Sequence, residues 1–259
     1  MDLGLKGRTA LVTGAGGGLG RAIATALTAE GANVAACDIS AEALAATAEA
    51  LPGANLRTYA FDLADPDALA TAVESATNDL GAIDILVGIT GGPPPTPATD
   101  ATAADWESHF SSLVSPVLNL VGHVLPGMRE RGFGRVIVST SSGVVNPIPN
   151  LAISNGLRLS LVGWAKTLAR EVGRDGVTVN TVVPGRIQTG RILALDRAKA
   201  ERDGVTPEEV AKASTASIPV GRYGYPEEFA AMVAFLASTQ ASYVTGSQVR
   251  VDGGFIPSI

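Results

Sequence analysis

The chain has 259 residues, 46% hydrophobic and 17% charged, with a formal net charge of −6, which is enough to bury a full core in one domain. The acidic balance and the lack of a basic tract exclude a nucleic-acid or anionic-membrane surface. The single cysteine, Cys37, excludes an intrachain disulfide and a multi-thiolate metal site, and it fits a reducing cytoplasm.

Strand-like apolar runs alternate with Ala-rich segments of helical period. Thr9–Thr13 reads as a strand, followed by a Gly-rich stretch and a helix over Arg21–Glu30. Asn33–Asp38 is the second strand, then come a helix over Ala41–Ala50, a strand at Leu56–Phe61 and a helix over Pro66–Asn78. Ile83–Ile89 and Arg135–Thr140 read as buried strands separated by one long helix from Ala103 to Arg131. A helix from Ile153 to Gly173 and strands at Val177–Val182 and Gln248–Val251 complete the pattern. Continuous apolar runs suit strands covered on both faces, and strict alternation of strand and helix implies a parallel sheet with right-handed crossovers. The expected fold is a doubly wound α/β sheet forming a single domain over residues 1–259. The Pro-rich piece Gly91–Pro97 reads as a loop at the carboxyl edge of that sheet. Met1 to Lys6 carries no signal-peptide pattern, and no apolar run approaches the roughly 18 residues of a membrane helix. His109 and His123 share one helical stretch and read as surface or packing residues, so no metal site is expected.

The first strand runs into Thr13-Gly14-Ala15-Gly16-Gly17-Gly18-Leu19-Gly20, and a helix follows at once. Glycines there let the backbone turn tightly and approach a pyrophosphate, while the helix N-terminus offers unpaired N–H groups. This is the dinucleotide-binding arrangement of a Rossmann fold. The second strand ends at Asp38, where a carboxylate accepts hydrogen bonds from the adenosine ribose and repels a 2′-phosphate. No Arg or Lys follows within Asp38–Leu44, and Gly17 puts no cation into the loop, so NAD(H) is favoured over NADP(H).

The spacing of Gly14, Gly18 and Gly20 resembles that of the short-chain dehydrogenase/reductase family, and the resemblance runs through the whole chain. Asp62-Leu63 is similar to the family's adenine-contacting pair. Asn180 to Thr189 is similar to its Asn-x-Val-x-Pro-Gly-x-x-x-Thr segment, which places Pro184, Gly185, Ile187 and Thr189 along the nicotinamide. Gly88-Ile89-Thr90-Gly91 stands where the family has Asn-Asn-Ala-Gly, which puts Gly88 beside the cofactor. The tail motifs Pro219-Val220-Gly221-Arg222 and Val251-Asp252-Gly253-Gly254 also match. General likeness is greatest to the 3-oxoacyl carrier-protein reductase group, a label that says little about substrate. The resemblance implies a homo-oligomer, a tetramer or dimer, built through the long helices and the apolar C-terminus Phe255 to Ile259.

The family's catalytic apparatus is Ser, Tyr, a Lys four residues after the Tyr, and an Asn on the preceding long helix. By register Ser142 matches the Ser, but the Tyr-x-x-x-Lys window reads Ser154-Asn155-Gly156-Leu157-Arg158, and Leu113 falls at the Asn position. A serine hydroxyl is a far weaker acid than a phenol, and arginine does not relay protons as lysine does. Arg158 can still hydrogen-bond a ribose or stabilise an oxyanion, and the four-residue spacing keeps it on one helical face with Ser154. The catalytic candidates are therefore Ser142, Ser154 and Arg158. The plainer alternative has the two serines satisfying backbone groups and Arg158 in a surface ion pair. Residues 186–214 are expected to wall the substrate pocket as a lid. Arg186, Arg191 and Arg197 within it are either solvated helix charges or a draw for an anionic small-molecule substrate. Three functions stay open: an oxidoreductase with altered proton chemistry, a non-redox enzyme in the same cleft, and a non-catalytic nucleotide sensor.

Overall fold

Alternation of side chains along the strands divides the interior into two cores. The computed structural model describes residues 2–259. Its strands are β1 (Thr9–Thr13), β2 (Asn33–Asp38), β3 (Leu56–Ala60), β4 (Ile85–Gly88), β5 (Gly134–Ser139), β6 (Val177–Pro184) and β7 (Gln248–Val251). They form one parallel sheet of seven strands in the order β3-β2-β1-β4-β5-β6-β7. The helices are α1 (Gly18–Ala29), α2 (Ala41–Glu49), α3 (Pro66–Leu80), α4 (Ala103–Leu113), α5 (Ser115–Glu130), α6 (Ala152–Val172), α7 (Gly190–Asp203), α8 (Pro207–Thr215) and α9 (Pro226–Ala237).

Leu11 of β1, Leu86 of β4 and Val136 and Val138 of β5 pack with α3, α5 and α6. Their neighbours Ala10, Val12, Ile85, Val87 and Ile137 pack with α1, α2 and α9, around the fully buried Phe229. Both faces of the sheet are thus covered, as the unbroken apolar runs required. The result is the doubly wound single domain expected, with its strand order reversing between β1 and β4. Ligands bind such sheets outside the carboxyl ends of the strands at that reversal.

Several elements depart from the sequence reading. The first helix begins at Gly18, not Arg21, so the loop glycines themselves form its first turn. The single long helix is two, because Val114 interrupts it before Pro116 restarts α5. Taken together, Ala103–Glu130 is long and apolar enough, by length and composition alone, to cross a membrane. This corrects the expectation that no segment approaches that length. Part of its apolarity is accounted for by packing, since Val117, Leu120, Val121, Val124 and Met128 belong to the core.

The segment between β6 and α9 holds two helices that the pattern did not reveal. Tyr223 fastens it, donating a 2.7 Å buried hydrogen bond to the Asp196 carboxylate on α7. Replacing Tyr223 with Phe leaves that carboxylate without its donor and is expected to cost about 1–3 kcal/mol. A melting temperature equal to that of the unaltered protein would show that the bond does not fasten α7.

Candidate active site

A cleft of about 630 Å³ opens at the carboxyl ends of the strands. Five strand ends contribute to its walls: Gly14 after β1, Asp38 of β2, Ile89 and Thr90 after β4, Ser139 to Ser142 at β5, and Pro184 and Gly185 at β6, while α6, α7 and Phe255 supply others.

At the β1 side, Thr13 holds the reversal point together. Its hydroxyl donates to the Ile89 carbonyl and accepts from the Ile89 N–H, both at 2.7 Å. Gly14 then turns with φ +65°, and Gly17 caps α1 without any side-chain hydrogen bond. The amides of the first turn therefore stay open toward the cleft, which Gly14, Gly18, Leu19 and Gly20 all line. A Cβ on Gly20 would lie 2.0 Å from the Gly14 carbonyl oxygen, so only glycine allows this approach of helix to loop. This cradle fits the pyrophosphate of a dinucleotide. Arg21, which the motif reading passed over, braces it by donating to Thr47 Oγ1 at 2.9 Å and to the Gly16 and Ala43 carbonyls.

Asp38 lines the same end of the cleft. Its carboxylate accepts 3.0 Å hydrogen bonds from the Gly16 and Ser40 N–H groups. Cys37, one residue earlier, is buried in the sheet, and burial pushes its thiol upward, so it is no nucleophile.

The opposite end gathers Ser142, Ser154 and Arg158, all buried side chains that line the cleft. Their immediate neighbours perform the structural tasks. Ser141, not Ser142, caps the short turn after β5 by accepting from the Gly143 N–H at 3.1 Å. Asn155, not Ser154, braces the loop before α6, donating to the Ile148 carbonyl at 2.9 Å and accepting from the Ile148 N–H. The Ser142 and Ser154 hydroxyls take part in neither contact.

Arg158 is buried without a carboxylate partner among the described residues. It donates to the Gly91 carbonyl, to the Ser139 carbonyl at 3.4 Å and to Thr90 Oγ1 at 3.5 Å. Burial, and then the nearby Arg191 charge, bring its pKa down to about 10. The surface ion pair of the plainer alternative does not form.

The remaining candidates divide. Pro184, Gly185, Ile187 and Thr189 line the cleft, as do Arg186 and Arg191, whereas Arg197 is exposed elsewhere on α7. Asp62, Leu63 and Gly88 lie outside its wall. The Asp62 carboxylate accepts from the Ala64 N–H in its own turn, Leu63 packs on the core, and Gly88 is buried in β4 with Val117 nearest. No tyrosine or lysine is among the lining residues: Tyr59 donates to Asp79, Tyr223 to Asp196, and Tyr225 and Tyr243 are exposed. Among the described residues no cluster of three His, Cys, Asp or Glu side chains could hold a metal ion.

Residues 14–256 match a protein family described as enoyl-(acyl carrier protein) reductase. The chain is 35% identical over 254 residues to the 3-oxoacyl-[acyl-carrier-protein] reductase FabG of Vibrio harveyi, spanning 97% of this chain and 98% of that one. The L-sorbose reductase of Gluconobacter frateurii, solved with NADPH and L-sorbose, superposes with a TM-score of 0.95 at 31% identity over 100% of both chains. YwfH, an NADPH-dependent reductase involved in bacilysin biosynthesis, superposes with a TM-score of 0.91 at 26% identity, over 97% of this chain and 99% of that one. The chain belongs to the short-chain dehydrogenase/reductase family of oxidoreductases.

Proposed function

We propose that the protein is an atypical NAD(H)-dependent member of this family that moves a hydride to or from a small organic substrate. The observation that carries the reading is the pairing of a dinucleotide cradle with Ser142, Ser154 and Arg158 in a cleft lined by no tyrosine or lysine. In this reading Ser154 and Arg158 occupy the family's Tyr and Lys positions. Leu113 occupies the Asn position, buried in the core and unable to hold a water relay.

When bound, the nicotinamide supplies or accepts the hydride. Ser142 and Ser154 hold the reacting heteroatom by hydrogen bonds, and Arg158 stabilises negative charge developing there. Neither group delivers a proton at neutral pH: a serine hydroxyl is too weak an acid, and a guanidinium at about 10 stays charged. The proton that balances a reduced carbonyl or conjugated alkene therefore comes from water or from the substrate. An iminium needs none, because the arriving hydride neutralises it. Iminium and enone substrates suit this site better than a simple ketone. Residues 186–214 act as the lid, with Arg186, Ile187 and Arg191 facing the cleft.

Asp38 supports NAD(H), as it stands where a 2′-phosphate would meet a carboxylate, while Arg21 is committed to the loop. The NADPH-dependent relatives argue the other way, which makes a fluorescence titration with both nucleotides decisive. NADH should bind at least about tenfold tighter, a difference of roughly 1.4 kcal/mol. Equal affinity would remove Asp38 as the discriminator, and failure to bind either nucleotide would end the hydride-transfer reading. With a turning-over substrate in hand, Ser154→Ala should slow turnover roughly 10²-fold while still binding nucleotide. Undiminished turnover would take Ser154 out of the mechanism. A cytoplasmic homo-oligomer belongs to the same proposal, supported by exposed Phe110 and Leu159 on the packed helices α4 and α6, with sedimentation as its check.

A further inference from the structure

Resting on the hydride-transfer reading, we propose that the substrate is an organic anion whose carboxylate is gripped between Arg158 and Arg191. Two guanidiniums approach one stretch of backbone, Gly91-Gly92. Arg158, on α6, donates to the Gly91 carbonyl. Arg191, in the first turn of α7, folds over the next residue, so that a Cβ on Gly92 would overlap its guanidinium nitrogens. The two charges lie near enough that Arg191 depresses the pKa of Arg158.

No carboxylate side chain pairs with them among the described residues. The ion pairs among the described residues involve Arg8, Arg129, Arg131, Arg202 and Arg222, not the cleft arginines. The cleft carries Arg158, Arg186 and Arg191 against one carboxylate, Asp38, which is held at the β2 end by two backbone amides. This local excess of positive charge sits in a chain whose formal net charge is −6. Like charges brought together in a part-buried cleft repel, and an anion entering between them relieves that repulsion. The planar fork of arginine matches a carboxylate through paired hydrogen bonds. A carboxylate fixed here would lie beside Ser142 and Ser154, in reach of the region assigned to the reacting group.

The test uses full-length protein saturated with NAD+, so that binding is read by calorimetry without turnover. The probes are two acid–ester pairs: benzoylformate with its methyl ester, and cinnamate with its methyl ester. At least one acid should bind about tenfold or more tightly than its ester. Added KCl should weaken that preference, Arg191→Met should remove it, and Arg191→Lys should restore part of it. Arg191 is exposed, so these variants are expected to fold. Esters binding as well as acids, or neither acid binding the loaded protein, would overturn the proposal. So would an acid preference that survives Arg191→Met while NAD+ affinity falls, because Arg191 would then serve the nucleotide pyrophosphate. If only NADP+ binds, the same titrations are run on protein loaded with it; if neither NAD+ nor NADP+ binds, hydride transfer fails. The same pairs titrated into nucleotide-free protein then judge the anion site alone: acid preference upholds it, and equality overturns it.

Discussion

Arg158→Met is expected to remove turnover while leaving the stability of the nucleotide-free protein little changed. A guanidinium held among carbonyls, facing Arg191 and lacking a carboxylate, sits in the native state at a pKa of about 10. Relative to the ordinary guanidinium value, that displacement corresponds to a cost on the order of 3 kcal/mol. Methionine removes the buried charge but leaves the Gly91 and Ser139 carbonyls and the Thr90 hydroxyl without their donor, and each buried carbonyl so left takes back about 1–3 kcal/mol. The two effects are of similar size, so the melting temperature should move by only a few degrees.

The pH dependence carries the same signature. Above pH 10 the folded protein releases the Arg158 proton while the unfolded chain still holds it, so stability rises from there toward the ordinary guanidinium value. Below pH 10 the cost is present in full, and it should be absent from the variant at every pH. Turnover, by contrast, should fall roughly 10²–10³-fold, as when a donor to developing negative charge is removed. Turnover within about tenfold of the unaltered protein's would take Arg158 out of the site.

Gly20→Ala should abolish nucleotide binding. The added methyl group would meet the Gly14 carbonyl oxygen at 2.0 Å, its carbon at 2.4 Å and the Ala15 nitrogen at 2.8 Å, all backbone atoms that no rotamer change can move. The first turn of α1 must separate from the loop, which removes the amides from the cradle. Overpacking of this kind costs about 1–3 kcal/mol in stability. The loss of affinity should be larger, more than about 100-fold or 2.7 kcal/mol, because several open N–H groups move together. Gly17 offers a comparison, since its φ of −172° is ordinary extended backbone and a Cβ there meets nothing within 4 Å. Gly17→Ala should leave stability within about 0.5 kcal/mol. Equal melting temperatures for the two variants, with nucleotide binding intact in both, would show that the close approach at Gly20 is not what shapes the site.

The central strands and the glycine loop were legible in the sequence because one physical requirement governs each; the edge strands β3 and β7 are only partly covered and do not follow it. A strand covered on both faces must be continuously apolar, and a helix meeting a phosphate must begin in glycine. The helices α7, α8 and α9 were not read from the sequence. Of α7 only Asp196 and Ala200 are buried, while Leu193 and Leu195 are exposed, so the apolar stripe that betrays a surface helix never forms. Asn-x-Val-x-Pro-Gly was read as a cofactor segment, yet its first residue, Asn180, is fully buried and clamps the C-terminal loop through Val244 and Ser247. The positions of Ser142, Ser154 and Arg158 could be counted out from anchors along the chain. Their pairing state could not, because it depends on what Ser141, Asn155 and Arg191 do in space.

The division of labour at positions 141 and 142, and again at 154 and 155, has an evolutionary consequence. Where one side chain both shapes the backbone and handles the ligand, a change of chemistry risks unfolding the protein. Here Ser141 holds the turn and Asn155 holds the loop, so the adjacent residues are released from that duty. Positions 142 and 154 can accept new side chains of similar size without disturbing the scaffold, and the reaction can drift while the architecture stays fixed. Such a site is a natural starting point for selecting new activities, with variation confined to those two positions and the anchors beside them left untouched.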